Sequence, residues 1–291
     1  MSPAFESTMR SLKVLFYFLV VGTLVSYWTL NYQNHFGKDS TRGEMSVSSE
    51  ICPDGNVMGI EVHGTILTYI PNESNSGDDK SDENEERESR VSSDRIIHYL
   101  EQAEGLDRVK AVLLEFDSYG GSLTAGKEIA DAFKRVQKPT VAVIRSSGTS
   151  SAYLAASGAD TIFVSPTSDV GGIGVNWSFL EETGKNNREG LVYERLVSAQ
   201  YKDIGNSNKP LTNEERQLMM RDIVALHDMF VQDVAVNRGL DEAAIKNLAD
   251  GSTMLGKRAL DVGLADRLGD QRDAITYLEK IIGEKPSLCW H

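Results

Sequence analysis

Three short segments of this 291-residue chain carry residue types suited to nucleophilic chemistry. Ser146-Ser-Gly-Thr-Ser-Ser-Ala-Tyr153 places Ser150 just after a β-rich run and at the start of a helical one. A serine at such a junction has its hydroxyl in the positive field of a helix N-terminus, which suits either a nucleophile or a plain N-cap. Gly148-x-Ser150-x-Ala152 also has the form of a nucleophile elbow. An elbow hydrolase needs an acid and then a histidine downstream. The histidines after Ser150 are His227, inside a helical pattern, and His291. Neither suits a triad, so the base must be another group, and a lysine can serve where burial favours its neutral form. Lys202, in Ala199-Gln-Tyr-Lys-Asp-Ile-Gly205, ends an extended, partly apolar segment; the alternative for it is a surface ion pair with Asp203. Finally, Asp117-Ser-Tyr-Gly-Gly-Ser122 sets Gly120 and Gly121 between a strand and a helix. Paired glycines turn the backbone sharply and can leave amide N–H groups unshielded, as an oxyanion hole requires, or they form only a turn.

The elements that must position these residues follow a β/α rhythm. Val57–Ile70 alternates and is rich in β-branched residues, which reads as a first strand. Ser93 can cap a helix running to about Glu104, with Ile96, Ile97 and Leu100 on one face. Val109–Phe116 is a nearly continuous apolar run, the pattern of a strand buried on both faces. Ser122–Val136 reads as a helix, Thr140–Ile144 and Thr161–Val164 as strands, and Ser150–Ala156 as a helical turn. Units of this kind give a parallel sheet with right-handed crossovers, whose ligand crevice lies at the strand ends. Thr212-Asn-Glu-Glu215 is a capping box opening a long helix that ends before Gly239, and a last helix runs about Asp273–Ile282.

Composition narrows the function classes. The net charge is −13, which disfavours nucleic acid and anionic lipid headgroups as ligands. The chain has two cysteines, Cys52 and Cys289, without CxxC spacing, so no metal or redox motif is expected; they can pair if both lie outside the cytoplasm. Val14–Leu30 is uncharged and apolar, preceded by Arg10 and Lys13, and ends in Tyr, Trp and Asn rather than small residues. It reads as an uncleaved signal anchor rather than a cleaved leader. The expected layout is a cytoplasmic N-terminus (1–13), a transmembrane anchor (14–32), a polar stalk (33–56), a catalytic domain (57–282) and a tail (283–291). Residues 71–90 hold eight acidic and three basic side chains and read as a solvated acidic insertion.

Taken in order, Lys138-Pro-Thr-Val, Gly148-Thr-Ser-Ser-Ala-Tyr153, Ala159-Asp160, Pro166-Thr167, Gly171-Gly-Ile-Gly-Val175 and Tyr201-Lys-Asp203 resemble signal peptide peptidase A and the related SohB-type peptidases. The resemblance spans roughly Val57 to Leu278 and takes in Gly120-Gly121 and Ala259–Asp266. It implies a Clp/crotonase-like α/β fold with a helical C-terminal part, and a serine–lysine dyad. Residue by residue it carries the nucleophile onto Ser150, the base onto Lys202 and the oxyanion amide onto Gly121, with Gly120 and Ser151 beside the substrate and Tyr153, Gly172 and Asp203 in support. No metal or cofactor is implied. Signal peptide remnants in the membrane or unfolded exported segments are the implied substrates, cleaved on the outer side of the membrane by a homo-oligomer. The sequence departs from the family at three places: Ser-Ser-Ala-Tyr replaces Ser-Gly-Gly-Tyr, Tyr119 replaces a proline, and Gly172 replaces a serine expected to orient the lysine. Those departures keep open a second class, an inactive peptide-binding scaffold of the same fold. A third, an acyl-CoA enzyme, fits poorly with an external Ser/Lys pair.

Overall fold

A computed structural model describes residues 52–70 and 89–291. The anchor at 14–32, most of the stalk and the bulk of the acidic insertion lie outside the described residues. Among the described residues, no helix is long and apolar enough to cross a membrane.

The unit Asp54–His291 is built on a sheet that is nine-stranded among the described residues. β1 (Val57–Leu67), β3 (Ala111–Gly121), β4 (Thr140–Thr149) and β5 (Thr161–Val164) form its parallel centre. β2 (Arg90–Ser92) extends it beside the C-terminal end of β1, and β8 (Arg267–Leu268) lies beside β5. β6 (Asp169–Gly171) pairs with the last residues of β4, and β7 (Thr253–Leu255) runs antiparallel to β6. The expected parallel α/β architecture is present.

β3 shows why the sheet is two-sided. All six residues from Ala111 to Phe116 are buried, as the continuous apolar run predicts. On one face Val57, Ala111, Leu113, Val141, Val143 and Phe163 pack under Ala274 and Leu278 of α8 (Gln271–Ile282). The alternate residues, among them Ile60, Leu114, Phe116 and Ile144, are buried on the other face. There α1 (Ser93–Gly105), α2 (Leu123–Arg135) and α3 (Ser151–Ala156) supply Ile96, Leu100, Ile129, Phe133, Tyr153 and Leu154. Three polar anchors join the connections to this core. Lys138 Nζ donates to the Ala103 and Leu106 carbonyls at the end of α1, at 2.5 and 2.8 Å. Asp160 accepts from both Thr140 N and Oγ1 at 2.8 Å. Asp266 accepts from Ile162 N at 2.7 Å and from Arg238 at 2.6 Å.

Several boundaries differ from the sequence reading for traceable reasons. α1 is capped by Ser92, which accepts from Arg95 N, whereas the Ser93 hydroxyl donates to Glu128. Arg90, assigned to the acidic insertion, begins β2 instead. Residues 283–291 contain β9 (Leu288–Trp290), which pairs parallel with Val57–Gly59. The Trp290 ring lies where a Gly59 side chain would start, 2.6 Å from an ideal Cβ. Neither cysteine is a free thiol. The capping box stands as read: Thr212 and Glu215 close α5 (Asn213–Arg238) at its start, and Gly239 ends it in the left-handed conformation.

α2 and α3 touch through Gly126, where an added Cβ would meet the Ser151 carbonyl oxygen at 2.4 Å. That partner is backbone and cannot rotate away. Gly126→Ala is therefore expected to cost about 1–3 kcal/mol by overpacking, read as a drop of several degrees in the thermal unfolding midpoint.

Candidate active site

Three segments meet at the C-terminal ends of the central strands: the glycine turn closing β3, the junction between β4 and α3, and the end of β6. Ser150 is the centre of this meeting. Its backbone has φ 54° and ψ −130°, a conformation that costs an L-residue about 1–3 kcal/mol and persists only where the surroundings impose it. Here they do. Ser150 N donates to Gly171 O at 2.8 Å, and Ser150 O accepts from Leu154 N at 3.1 Å. Ser150 occupies the N-cap position of α3 yet makes no side-chain capping bond, so the plain N-cap reading fails. A strand-to-helix turn with a strained serine is the geometry of a nucleophile elbow.

The glycine turn lies against it. An ideal Cβ on Gly120, whose φ is 102°, would meet Ser150 Cβ at 2.9 Å and Ser151 N at 3.0 Å. Ser122 N donates to Ile66 O, and Ile66 is the register partner of Gly121. Gly121 follows directly on Gly120, the residue that lies against Ser150. Ser151 is the first residue of α3, a position whose N–H has no partner within its helix. The glycine turn and the Ser151 amide thus both lie beside Ser150.

The remaining predicted residues fall into two groups. Tyr153 is fully buried, its hydroxyl donates to Leu264 O at 2.9 Å, and burial pushes its pKa up; it ties α3 to the closing segment and carries no proton chemistry. Gly172 has φ 60°, and its ideal Cβ would lie 3.4 Å from Ser150 N and 3.3 Å from Thr149 Cβ. A serine there would adopt a conformation disfavoured for L-residues, which accounts for the glycine in this chain. Ser151 is buried, and among the described residues its hydroxyl has no hydrogen-bond partner. Lys202 and Asp203 lie instead on the excursion between β6 and α5. Lys202 is exposed, and among the described residues its ammonium has no hydrogen bond or ion pair. The surface-pair alternative for it fails, because Asp203 is taken by Arg195. That guanidinium makes a two-pronged contact at 2.8–3.0 Å and holds the Asp203 carboxyl below the usual range. No contact brings Lys202 to Ser150 among the described residues.

Sequence reasoning missed Ser118 and Thr149. Ser118 Oγ donates to Gly64 O and accepts from Gly120 N, and Thr149 Oγ1 donates to Tyr119 O. A hydroxyl residue just before the turn was a visible signal, but its partner Gly64 lies 54 positions away.

Two outcomes follow from the geometry. Glycine relieves the strain at Ser150 and alanine does not, so Ser150→Gly is expected to be about 1–2 kcal/mol more stable than Ser150→Ala in denaturant unfolding. Equal stabilities would refute the strained elbow. At the far end of the excursion, Lys209 donates to the buried Glu215 carboxylate at 2.5 Å and holds its pKa down. A depressed carboxylate stabilises the fold above the ordinary carboxylate range, and that stability is lost as pH falls through the depressed value. Glu215→Gln is expected to cost about 1–3 kcal/mol at neutral pH and little in strong acid, measured by unfolding at both.

Comparison with known proteins gives the family. The chain is 33% identical over 187 residues to a protein of Methanocaldococcus jannaschii named as a candidate protease, covering 64% of this chain and 60% of that one. It is 32% identical over 175 residues to an Enterococcus faecium protein named as a candidate signal peptide peptidase SppA, covering 59% and 51%. To Protease 4 of Haemophilus influenzae it is 24% identical over 231 residues, covering 78% and 35%. The chain thus spans between about a third and three fifths of the length of these relatives. Residues 132–284, more than half of the sequence and including Ser150, Gly172 and Lys202, match Peptidase family S49, and the chain belongs to that family.

Proposed function

We propose that this protein is a membrane-anchored serine endopeptidase in which Ser150 attacks the scissile carbonyl and Lys202 is its general base. The observation that carries the reading is the strained backbone at Ser150, which withholds the hydroxyl from helix capping and sets the residue against the Gly120–Gly121 turn; the Gly121 and Ser151 N–H groups are the proposed oxyanion donors. In the reaction, neutral Lys202 takes the hydroxyl proton as Ser150 Oγ bonds to the carbonyl carbon. The two N–H groups stabilise the resulting oxyanion, and the protonated lysine then passes the proton to the leaving amine. Water activated by the same lysine releases the acyl-enzyme. Peptides or unfolded exported segments, extended enough to enter between the strand ends, are the proposed substrates.

Lys202 needs a drier setting than the single chain gives it, since it is exposed there. Its excursion also exposes Leu180, Leu191, Val192 and Leu196, and α5 exposes Met220, Val224 and Met229. Apolar surface of this extent favours burial against another copy. We therefore include homo-oligomerisation in the proposal, as the step that covers the excursion and desolvates Lys202. The exposed lysine also supports a second reading, a peptide-binding scaffold without turnover. For location, the uncharged run Val14–Leu30 supports an anchor, and the absence of a free thiol supports placing the domain in an oxidising compartment.

The test uses the full-length protein in detergent with a fluorogenic peptide and an unfolded protein as substrates. Ser150→Ala and Lys202→Ala are expected to lower kcat/KM by at least about 1,000-fold, and Ser151→Ala by less than about 10-fold. A fluorophosphonate should label the wild type and not Ser150→Ala. A wild type that neither cleaves nor labels from neutral to alkaline pH selects the scaffold, and loss of activity in Ser151→Ala alone removes Ser150 from its role.

A further inference from the structure

Resting on the catalytic reading above, we infer that Ser118 and Thr149 are positioning residues that decide which amide of the glycine turn faces the substrate. The turn offers two candidate donors, Gly120 N–H and Gly121 N–H, on consecutive peptides. The peptide between Tyr119 and Gly120 is held at both ends. Its carbonyl oxygen accepts from Thr149 Oγ1 at 3.2 Å, and its N–H donates to Ser118 Oγ at 3.0 Å. The Ser118 hydroxyl is in turn anchored, donating to the Gly64 carbonyl at 2.5 Å. Ser118 is 1% exposed and Thr149 5%, so water does not replace either contact.

The clamp has two consequences. Gly120 N–H is occupied and cannot serve an oxyanion, which leaves the next amide, Gly121, as the donor on this side. It also sets the distance between donor and nucleophile, because Thr149 immediately precedes Ser150. One hydroxyl thereby links the strand that carries the nucleophile to the turn that carries the oxyanion amide. Both strands are irregular here, with register shifts between His63 and Thr65 of β1 and between Phe116 and Ser118 of β3. The ladder resumes at Ser118, Gly120 and Gly121 after these shifts, and the side-chain hydroxyls brace the stretch where it is interrupted. Neither Ser118 nor Thr149 touches the reacting atoms in this account. They act through Gly121 and Ser150.

The test compares Ser118→Ala, Thr149→Val and Thr149→Ser with wild type in the full-length protein, by steady-state kinetics and by hydrogen exchange of the 117–124 segment. Ser118→Ala and Thr149→Val are expected to lower kcat about 10- to 100-fold with KM within about threefold, because the oxyanion exists only after attack. Thr149→Ser keeps the hydroxyl and should restore kcat to within about threefold. Exchange in 117–124 should rise in Ser118→Ala while 111–116 stays protected. Should Ser118→Ala fail to fold, the Thr149 pair carries the same comparison. An unchanged kcat in the folded variants overturns the inference, as does a loss shared by the 111–116 segment, which would mark a merely structural role. If the wild type shows no hydrolysis, the catalytic reading fails separately, and exchange decides the clamp: faster exchange confined to 117–124 in Ser118→Ala sustains it, and unchanged exchange overturns it.

Discussion

The arrangement at the strand ends depends on one strained residue. Ser150 holds a backbone conformation that an isolated L-residue avoids, so neighbouring structure must impose it. Two backbone hydrogen bonds do so directly, one from Ser150 N to Gly171 O and one from Leu154 N to Ser150 O. Behind them stand the pairing of β6 with the end of β4, the close approach of α2 at Gly126, and the Tyr153 hydroxyl on Leu264 O. Each fixes α3 from a different direction. A helix of only six residues contributes little stability of its own, and its placement comes from these contacts.

The same dependence bears on Gly172 and Ser151, two residues at which the sequence departs from the motif pattern it resembles. Gly172 follows Gly171, the acceptor for Ser150 N, and its own N–H donates to Ser252 O at 3.1 Å. With φ at 60°, the position suits glycine on backbone grounds, whatever a serine hydroxyl does elsewhere in the family. Ser151 is accommodated because Gly126 opposite lacks a side chain, and in this fully buried site its hydroxyl has no partner among the described residues. An unpaired buried hydroxyl costs about 1–3 kcal/mol, so Ser151 is a local conflict that the packing of α3 must outweigh. Conflicts of this kind gather where function constrains the backbone.

What the sequence revealed and what it hid divide along contact range. The capping box at Thr212 and Glu215, the glycine that ends α5 and the continuous apolar run in β3 are local signals, and each stands in the structure. Ser150 was legible as a junction residue for the same reason, since strand and helix patterns meet there. By contrast, β9 was invisible as a strand because three residues gain their pairing only from β1, some 230 positions earlier. The Ser118 bond to Gly64 is equally remote, and nothing in Asp117-Ser-Tyr-Gly-Gly distinguishes a bracing hydroxyl from a solvated one. Local sequence suggested that Asp203 would pair with its neighbour Lys202. Arg195, eight residues away, holds Asp203 instead because its planar fork meets both carboxylate oxygens.

That exchange of partners bears on the chemistry. An Asp203 bound to Lys202 would stabilise the charged ammonium and oppose its use as a base. With Asp203 committed to Arg195, the nearest acid in sequence is held by another cation. The excursion is itself tethered at its far end by Lys209 to Glu215, inside the capping box of α5. Within the excursion Asp203 pairs with Arg195 and Glu182 with Lys185, while several of its apolar side chains are exposed. The carboxylate next to Lys202 can therefore lose water against a second copy without being left unpaired. That local pairing suits the change in surroundings that the proposed lysine base requires.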